Sequence, residues 1–488
     1  MNVIFTYPRD KFEAGGIDTK AVNKLISKHA ELRETLEKLV DYYEGQQEIL
    51  SRTRADNAPN ATPVCNHAKD ISDTAAGYFM GTPITYGKAG DEIQPLLDML
   101  DAASVDDADQ DNALMLSICG RAYEYVYAAE DEATLRVMPV DPRYTFIVCD
   151  ESIEHRELFG VYYYYLNDDE DENAVKDGES SGTMYAYVYT ADHVYAYKLK
   201  GGEGELMEDY DHFLGAVPIV EYKNNKFCIG DFEQQIGLID AYNALMADRV
   251  NDKEQFVDAI LVLYGSILGD DEKESDEALR KLRQKKLLEL DEQARAEYLS
   301  RTFDEGGVEI LRQALKEDIY TFSHVPNLTD KNFAGNSSGV AMEYKLLGLE
   351  MLTKIKERYY RMGLRKRLAI FTNFMEIKGQ HIDPIDAVPT FSRGLPKNLL
   401  ELSQIIANLS GDVSKQTLIS LLPFVEDPMQ EIEAVKQENM EALAQQQALM
   451  GMAAEVSKTE PADYDYEDEE ADEDEKPGKP PKPASEDE

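Results

Sequence analysis

The second half of the chain has a regular spacing of apolar residues that predicts long helices. Apolar side chains recur every three or four residues from Phe232 to Leu261, from Val308 to Phe322 and from Val340 to Met375. This spacing puts them on one face of a helix. The third helix, of about forty residues, would be roughly 60 Å long, which a compact domain rarely needs. We therefore expect an elongated subunit in which neighbouring copies cover each other's apolar faces.

The predicted long helix changes its apolar face near Gly363. One line of apolar residues precedes this glycine, and a second line, rotated around the helix axis, follows it. Sharp bends in helices have local causes such as glycine, so the pattern predicts a kink or a change of packing partner at Gly363. The first line comprises Val340, Tyr344, Leu347, Met351, Ile355, Tyr359 and Met362, and the second comprises Leu364, Leu368, Phe371 and Met375.

The first 230 residues predict a mixed region of helices and strands. Asp18 and Asn66 are suitable N-caps for helices that end near Tyr43 and Gly81. Two further helices are expected at about 91–103 and 108–119. Runs rich in Tyr and Val predict strands at 82–86, 121–128, 135–140, 144–149, 157–166, 184–190, 193–198 and 217–222. The fold class is therefore predicted to be α+β.

The chain is strongly acidic, with 95 Asp and Glu against 50 Lys and Arg and a net charge of −45. The segment from Glu460 to Glu488 has a net charge of −11, so the rest of the chain is acidic in its own right. Surfaces that grip nucleic acid through phosphates need clustered Lys and Arg, and this balance argues against such a surface. Residues 456–488 contain almost nothing to bury and are expected to be disordered.

Neither an enzyme nor a metal protein is indicated. The sequence has no GxxxxGK[ST], HExxH or GxSxG motif, and its four cysteines form no CxxC pair. Metal-ligand residue types meet at Glu208–His212, which we interpret as a solvated loop, and 168–173 lacks the glycine of a calcium loop. We predict no catalytic residues, no metal and no cofactor. With no signal peptide and no membrane-length apolar run, folding in a cytoplasm is expected.

Two basic groups stand out against this acidic background. One is the run Arg280, Lys281, Arg283, Lys285 and Lys286. It is either an exposed helix face paired with nearby acids or a docking site for an acidic partner or DNA. The other group is Arg358, Arg361, Arg365, Lys366 and Arg367, for which salt bridges between subunits are expected.

Six segments, in order, resemble the portal proteins of tailed bacteriophages, in particular the type found in long-tailed phages of Gram-positive hosts. The segment at 42–50 resembles that family's YYxGxHxIL start, with Gln47 in place of His, and 77–84 resembles its GYxxGxPI segment. The segment 336–341 resembles its GNxSGxA entry to a long helix. Further similarities lie at 238–252, 391–396 and 422–428, so the resemblance covers roughly residues 40–430.

This resemblance implies a portal-type subunit that assembles into a ring, typically of twelve copies. Its parts would be an α+β wing at 1–230, a stem helix at 231–265, a small α/β clip at 266–305, a second stem helix at 306–325 and a tunnel loop at 326–337. A long kinked wing helix at 338–378, a wing strand at 379–396, a helical crown at 397–455 and an acidic tail at 456–488 would follow.

The same resemblance implies a non-enzymatic channel at one capsid vertex of the virion, through which double-stranded DNA is packaged and ejected. The implied partners are further copies of the chain, DNA that slides without being held, the terminase large subunit, a head–tail adaptor, and the major capsid and scaffolding proteins; no membrane is implied. Assembly would take place in the host cytoplasm. A head–tail adaptor or scaffold ring with no role in DNA translocation is the alternative.

Within the tunnel loop, Lys331, Asn332, Asn336 and Ser337 are the expected DNA contacts, weak enough for the duplex to slide. Gly335 and Gly339 are the expected hinges, because glycine permits backbone conformations closed to other residues. The basic run at 280–286 in the clip is the expected docking site for the terminase or the adaptor.

Overall fold

The computed structural model describes residues 3–15, 17–54, 59–87, 93–129, 134–166, 183–200, 203–257, 260–264, 280, 295–299, 305–328, 339–393, 399–422, 425, 428–429 and 431–440. The helices are α1 (Arg9–Gly15), α2 (Thr19–Glu44), α3 (His67–Met80), α4 (Gln94–Ala102), α5 (Val105–Cys119), α6 (Ile236–Val257), α7 (Glu305–Ser323), α8 (Gly339–Ile377), α9 (Leu399–Leu409) and α10 (Lys415–Ile419). The chain divides into two compact units, Met1–Pro396 and Lys397–Glu488.

Thirteen strands are seen in the described residues: β1 (Phe5–Thr6), β2 (Thr85–Gly87), β3 (Arg121–Ala128), β4 (Leu135–Val140), β5 (Thr145–Cys149), β6 (Glu157–Leu166), β7 (Thr183–Tyr189), β8 (His193–Lys200), β9 (Glu203–Asp211), β10 (Ile219–Lys223), β11 (Ile260–Tyr264), β12 (Arg295–Leu299) and β13 (Val388–Thr390). Helices and sheets are thus mixed in the first unit, and the predicted α+β class is confirmed.

The predicted ends of α2 and α3 are confirmed, with the expected capping residues. The Asp18 carboxylate accepts a hydrogen bond from the Lys20 amide, and the Asn66 side chain accepts one from the Lys69 amide. Gly45 ends α2 with φ of 90°, a left-handed conformation that glycine adopts at little cost. Both helices bury an apolar face in the larger core of the first unit.

A six-stranded sheet in the order β1-β5-β6-β7-β8-β9 supplies the other side of that core. β1 runs parallel to β5 and the other pairings are antiparallel. Along β6, Phe159, Val161 and Tyr163 are buried in the larger core, while Tyr162 contacts a small cluster on the other face. This alternation follows from the two-residue period of a strand.

Strand β9 corrects the prediction of a solvated loop at Glu208–His212. The segment lies in β9 as far as Asp211 and pairs with β8. Its composition is too polar for the apolar alternation by which strands are recognised, and backbone pairing to its neighbour makes it a strand.

A three-stranded sheet, β10-β3-β4, packs with α4, α5 and the second half of α8 around another core. Tyr360, Leu364, Leu368, Phe371 and Met375 are the α8 residues at its centre, so the second predicted apolar line faces this core. A smaller cluster, which includes Tyr123, Ile147 and Ile219, joins this sheet to the six-stranded one.

The first stem helix ends earlier than the predicted range 231–265. α6 ends at Val257, and Ile260–Tyr264 forms strand β11, which pairs antiparallel with β12. Ile260 to Tyr264 is an unbroken apolar run, and such a run fits a buried strand as well as a helix. The residues between β11 and β12, except Arg280, lie outside the described part of the chain.

The other two predicted long helices are confirmed as α7 and α8, and α8 continues without interruption through Gly363. In the first half of α8 the buried line is Leu346, Leu349, Thr353, Lys356 and Tyr360, not the predicted line through Tyr344 and Met351. Thr353 and Lys356 are polar, which hides this line from a search for apolar spacing. Thr353 is accommodated because its hydroxyl donates to the Leu349 carbonyl oxygen at 2.8 Å.

In the second unit, α9 and α10 lie within 397–455, the segment for which the resemblance implies a helical crown. Ser414 caps α10 by accepting a hydrogen bond from the Thr417 amide. Residues 431–440 are also helical. The predicted disordered tail, 456–488, lies outside the described residues.

Candidate functional site

The stretch from α6 to α8 contains the predicted stem and the predicted loop. α7 ends at Ser323, and the next residue, His324, has a left-handed backbone with φ of 57°. Val325 is buried, and its amide donates to the Ser323 hydroxyl at 3.3 Å. A Cβ placed on Gly348 of α8 would lie 3.5 Å from the Cβ of His324. The chain leaving α7 is therefore fixed against α8.

The loop between these helices is only partly described. Pro326, Asn327 and Leu328 are described, and Leu328 is exposed. Gly339 is the first residue of α8. The other predicted contact and hinge residues, Lys331, Asn332, Gly335, Asn336 and Ser337, lie outside the described residues, and their roles stay predictions.

A cluster of charged and polar side chains joins α6 to α7. The Glu309 carboxylate of α7 accepts hydrogen bonds from Arg249 of α6 at 2.8 Å and from Arg312 of α7 at 2.6 Å. The Arg312 and Arg249 guanidiniums lower the pKa of Glu309 to about 2. Arg312 also donates to the Tyr242 hydroxyl of α6 at 3.0 Å. Helices α6 and α7 are thus paired through an ionised carboxylate.

A buried ion pair anchors α8 to the residues that lead into α6. Lys356 of α8 pairs with Asp231, and each side chain is less than a tenth exposed. The Asp231 carboxylate also accepts hydrogen bonds from the Ser117 hydroxyl at 2.5 Å and from the Asn224 side-chain amide at 3.0 Å. A buried charge is tolerated when it is paired and hydrogen-bonded in this way. Asp231 thereby links α5, α8 and the residues leading into α6.

A second anchor joins the chain after β13 to the first half of α8. The Arg393 guanidinium donates to both carboxylate oxygens of Glu350, at 2.6 and 2.9 Å, and also to Glu357. The Tyr78 hydroxyl of α3 donates to Glu350 at 2.9 Å. This forked geometry fixes the orientation of the guanidinium as well as its position.

The third anchor is a fully buried cluster around Arg367. Its guanidinium donates to Asp109 of α5 at 2.7 Å and to Glu124 of β3 at 2.8 Å. The Tyr360 hydroxyl donates to Asp109, and the Tyr222 hydroxyl donates to Glu124 at 2.8 Å. Burial by itself lowers the pKa of Arg367, but the Asp109 and Glu124 carboxylates outweigh it and raise that pKa well above the usual arginine value.

Gly363 lies next to this cluster, at a close contact between α8 and β10. A Cβ at this position would be 2.4 Å from two ring atoms of Tyr222 and 3.0 Å from the Glu221 carbonyl oxygen. Only glycine allows the helix to pack this closely against the strand. The bend expected at Gly363 stays a prediction; the structure gives the glycine a packing role that the sequence did not reveal.

The residues of the second basic group have different surroundings within the subunit, and the salt bridges between subunits expected for them stay a prediction. Arg367 is buried within the subunit, and Lys366 contacts Glu157 and the Ile219 carbonyl oxygen. The Arg361 guanidinium lies 5.2 Å from the centre of the Phe391 ring. Arg358 and Arg365 are exposed. Of the five, Arg367 is the one that is fully buried, and Arg358 and Arg365 are the most exposed.

Of the predicted docking residues in the clip, Arg280 is exposed, and Lys281, Arg283, Lys285 and Lys286 lie outside the described residues. Within the described ranges, no three His, Cys, Asp or Glu side chains are grouped to hold a metal ion. Near Glu208–His212, the His193 ring contacts Asp211 at 2.6 Å and Asp209 at 3.4 Å, and these carboxylates raise its pKa. A search of the same ranges for a helix able to cross a membrane found none.

The acids that anchor α8 are not recognisable from the sequence. Asp109, Glu124 and Asp231 look like ordinary solvated carboxylates in the sequence, because their cationic partners are more than a hundred residues away. Charge patterns identify pairs one helical turn apart, not pairs of this kind. No local signal in the sequence marks these three acids as buried.

Comparison with known proteins identifies the family. The portal protein of Bacillus phage SPP1 is 23% identical over 463 residues, which is 86% of this chain and 86% of that protein. The portal protein of Clostridium phage phiCD119 is 23% identical over 445 residues, 84% of this chain and 94% of that protein. A chain from the neck of a native gene transfer agent particle, computed with C12 symmetry, aligns with a TM-score of 0.43 and 10% identity over 73% of this chain and 89% of its own. A model of the family described as phage portal protein, SPP1 Gp6-like, matches residues 22–445, and the chain therefore belongs to that family.

Proposed function

We propose that twelve copies of this chain form the channel through which double-stranded DNA enters and leaves the capsid, with the loop between α7 and α8 facing the DNA. Membership of the portal family, whose members are structural ring components of the virion, supports the channel. The proposed position of the loop is supported by the end of α7, because His324, the first residue after this helix, lies against Gly348 of α8. The ten residues from Thr329 to Ser338 join two such firmly placed helices.

The anchors of α8 support a loop whose position is set by the body of the subunit. Three ionic contacts hold α8 in place. Lys356 binds Asp231 before α6, and Arg367 binds acids of α5 and β3. Two acids of α8 bind Arg393, which follows β13. Buried charges cannot leave their partners without a cost of several kcal/mol. A loop carried on such a helix keeps its distance from the channel axis while DNA passes.

The charge of the chain supports sliding and not tight binding. Duplex DNA carries about one negative charge per 1.7 Å of axis, so an acidic channel wall would repel it, and a chain of net charge −45 fits such a wall. Lys331 is the only basic residue in the loop, and Asn332, Asn336 and Ser337 add neutral polar contacts. Gly335 and Gly339 would let the loop follow the turning duplex. One lysine per copy gives a ring of weak sites.

The loop contacts can be tested with Lys331→Ala and Asn336→Ala particles. We expect intact rings and a lower rate of DNA packaging, because the transient phosphate contacts are lost. Lys24→Ala is the matched control, since it removes an exposed lysine from α2 and should package at the normal rate. Normal packaging in both loop variants would remove the loop from the mechanism and favour a ring with no direct role in translocation.

We further propose that the basic run at 280–286 docks the terminase large subunit during packaging and the head–tail adaptor afterwards, with ATP hydrolysis supplied by the terminase. Arg280 is exposed, as a docking residue needs to be. Reversing the charges of Arg280, Lys281, Arg283, Lys285 and Lys286 should abolish packaging and leave the mass of the ring unchanged. Lys415→Glu, in the exposed part of the second unit, is the control. Normal packaging by the reversed variant would refute the docking role.

A further inference from the structure

Helix α8 is apolar on two opposite faces between Tyr344 and Met362. One face is buried in the subunit by Leu346, Leu349 and Tyr360. The other, which we call the outer stripe, remains between 45% and 75% exposed. A helix face directed to water is normally polar, so this one needs a cover. The outer stripe consists of Tyr344, Leu347, Met351, Ile355 and Met362, spaced three, four, four and seven residues apart.

A second set of exposed apolar side chains lies on α7. Ile310, Leu311 and Phe322 are at least half exposed. Leu311 and Phe322 are eleven residues apart, close to three helical turns, and therefore lie on one face. We call these three residues the outer edge of α7. The outer stripe is about 27 Å long and the outer edge about 18 Å at the usual rise per residue.

The exposed charges beside the second half of the outer stripe are basic, whereas exposed acids lie beside the outer edge. Arg358 and Arg365 lie beside the outer stripe, at helical positions adjacent to Ile355 and Met362, and both are exposed. Glu317 and Asp318 lie beside the outer edge, and both are exposed. Opposite charges at the rim of an apolar contact favour the correct partner and the correct register.

Ring symmetry determines which kind of pairing is needed. Neighbours in a closed ring meet through two different patches of the same subunit, whereas a patch that contacts itself closes a dimer. The outer stripe and the outer edge are two different patches, both apolar, with basic residues beside the second half of the stripe and acids beside the edge. We propose that the outer stripe of α8 packs against the outer edge of α7 of a second copy, and that this is a subunit contact of the ring.

The first test uses Met351→Glu, with Ile377→Glu as the matched control. Both residues are on α8, both are 62% exposed, and only Met351 is on the outer stripe. We expect Met351→Glu to give the 55.1 kDa single chain in native mass measurements at concentrations where the wild type forms rings, with an unchanged circular dichroism spectrum. Ile377→Glu should form rings like the wild type. Rings formed equally well by both variants would overturn the proposal.

The second test identifies the partner surface through a charge exchange. Arg358→Glu and Asp318→Arg should each raise the concentration needed for half assembly at least tenfold, and the double variant should restore assembly. Both side chains are exposed, so these variants are expected to fold. Failure of the double variant to recover would overturn the pairing with α7. Intact Met351→Glu rings that no longer enter a capsid would overturn it too, since the stripe would then cover a different protein. Neither outcome affects the DNA-facing loop, whose variants leave rings intact.

Discussion

Removing the buried cation of α8 should destabilise the first unit strongly, because two carboxylates depend on it. Arg367→Met keeps a side chain of similar length but leaves Asp109 and Glu124 without their cation in a site closed to water. Breaking a buried pair by removing one partner costs about 3–5 kcal/mol. The expected loss is at the upper end, since one guanidinium serves both acids.

The loss of stability in Arg367→Met should also depend on pH. Burial without a cation raises the pKa of a carboxyl group above its unfolded value of about 4. The variant can then take up protons at low pH and relieve the unpaired charge, so stability falls as the pH rises through the raised pKa. We expect the difference between Arg367→Met and the wild type to be larger at pH 8 than at pH 5.

Urea unfolding followed by circular dichroism, at one fixed protein concentration, measures both effects. A loss of this size corresponds to a midpoint lower by at least about 1 M urea. The control is the triple variant Arg367→Met, Asp109→Asn, Glu124→Gln, which removes all three charges and should recover most of the stability. An unchanged midpoint at both pH values, or a triple variant no more stable than Arg367→Met, would refute the argument.

Two further changes test the packing of single residues. Gly363→Ala forces a Cβ into the ring of Tyr222 and should lower the free energy of unfolding by about 1–3 kcal/mol, measured by thermal unfolding. Gly348→Ala is the control and should be tolerated, because the nearest atom to its Cβ is 3.5 Å away. Equal melting temperatures for the two variants would contradict the close contact at Gly363. Burial lowers the pKa of His29 to about 3, so the unfolded chain binds the extra proton and stability falls as the pH drops from about 6.5 towards 3. From pH 7 to pH 5 this histidine accounts for about 2 kcal/mol, and His29→Gln should remove that share of the pH dependence measured by urea unfolding.

Two elements, the end of α6 and strand β9, differ from those predicted, each for a physical reason. A short apolar run such as Ile260–Tyr264 has no periodicity that separates helix from strand, so the end of α6 was placed too late. Strand β9 is polar and is a strand because its backbone pairs with β8, which no local pattern encodes. By contrast, capping residues such as Asp18 act within one turn, and the helix start they predict was correct.

Local patterns along the chain were enough to locate α2, α3, α7 and α8, to indicate the mixed fold class and to carry the resemblance to portal proteins. These depend on local spacing, caps and the order of short motifs, all of which are present in a single chain. Which face of α8 is buried depends on tertiary contacts, because Lys356 faces the interior through its ion pair with Asp231, 125 residues away in the chain. Tertiary contacts also place Arg367 in the core and bring Gly363 against Tyr222. Such assignments rest on residues far apart in the chain, and folding alone brings them together.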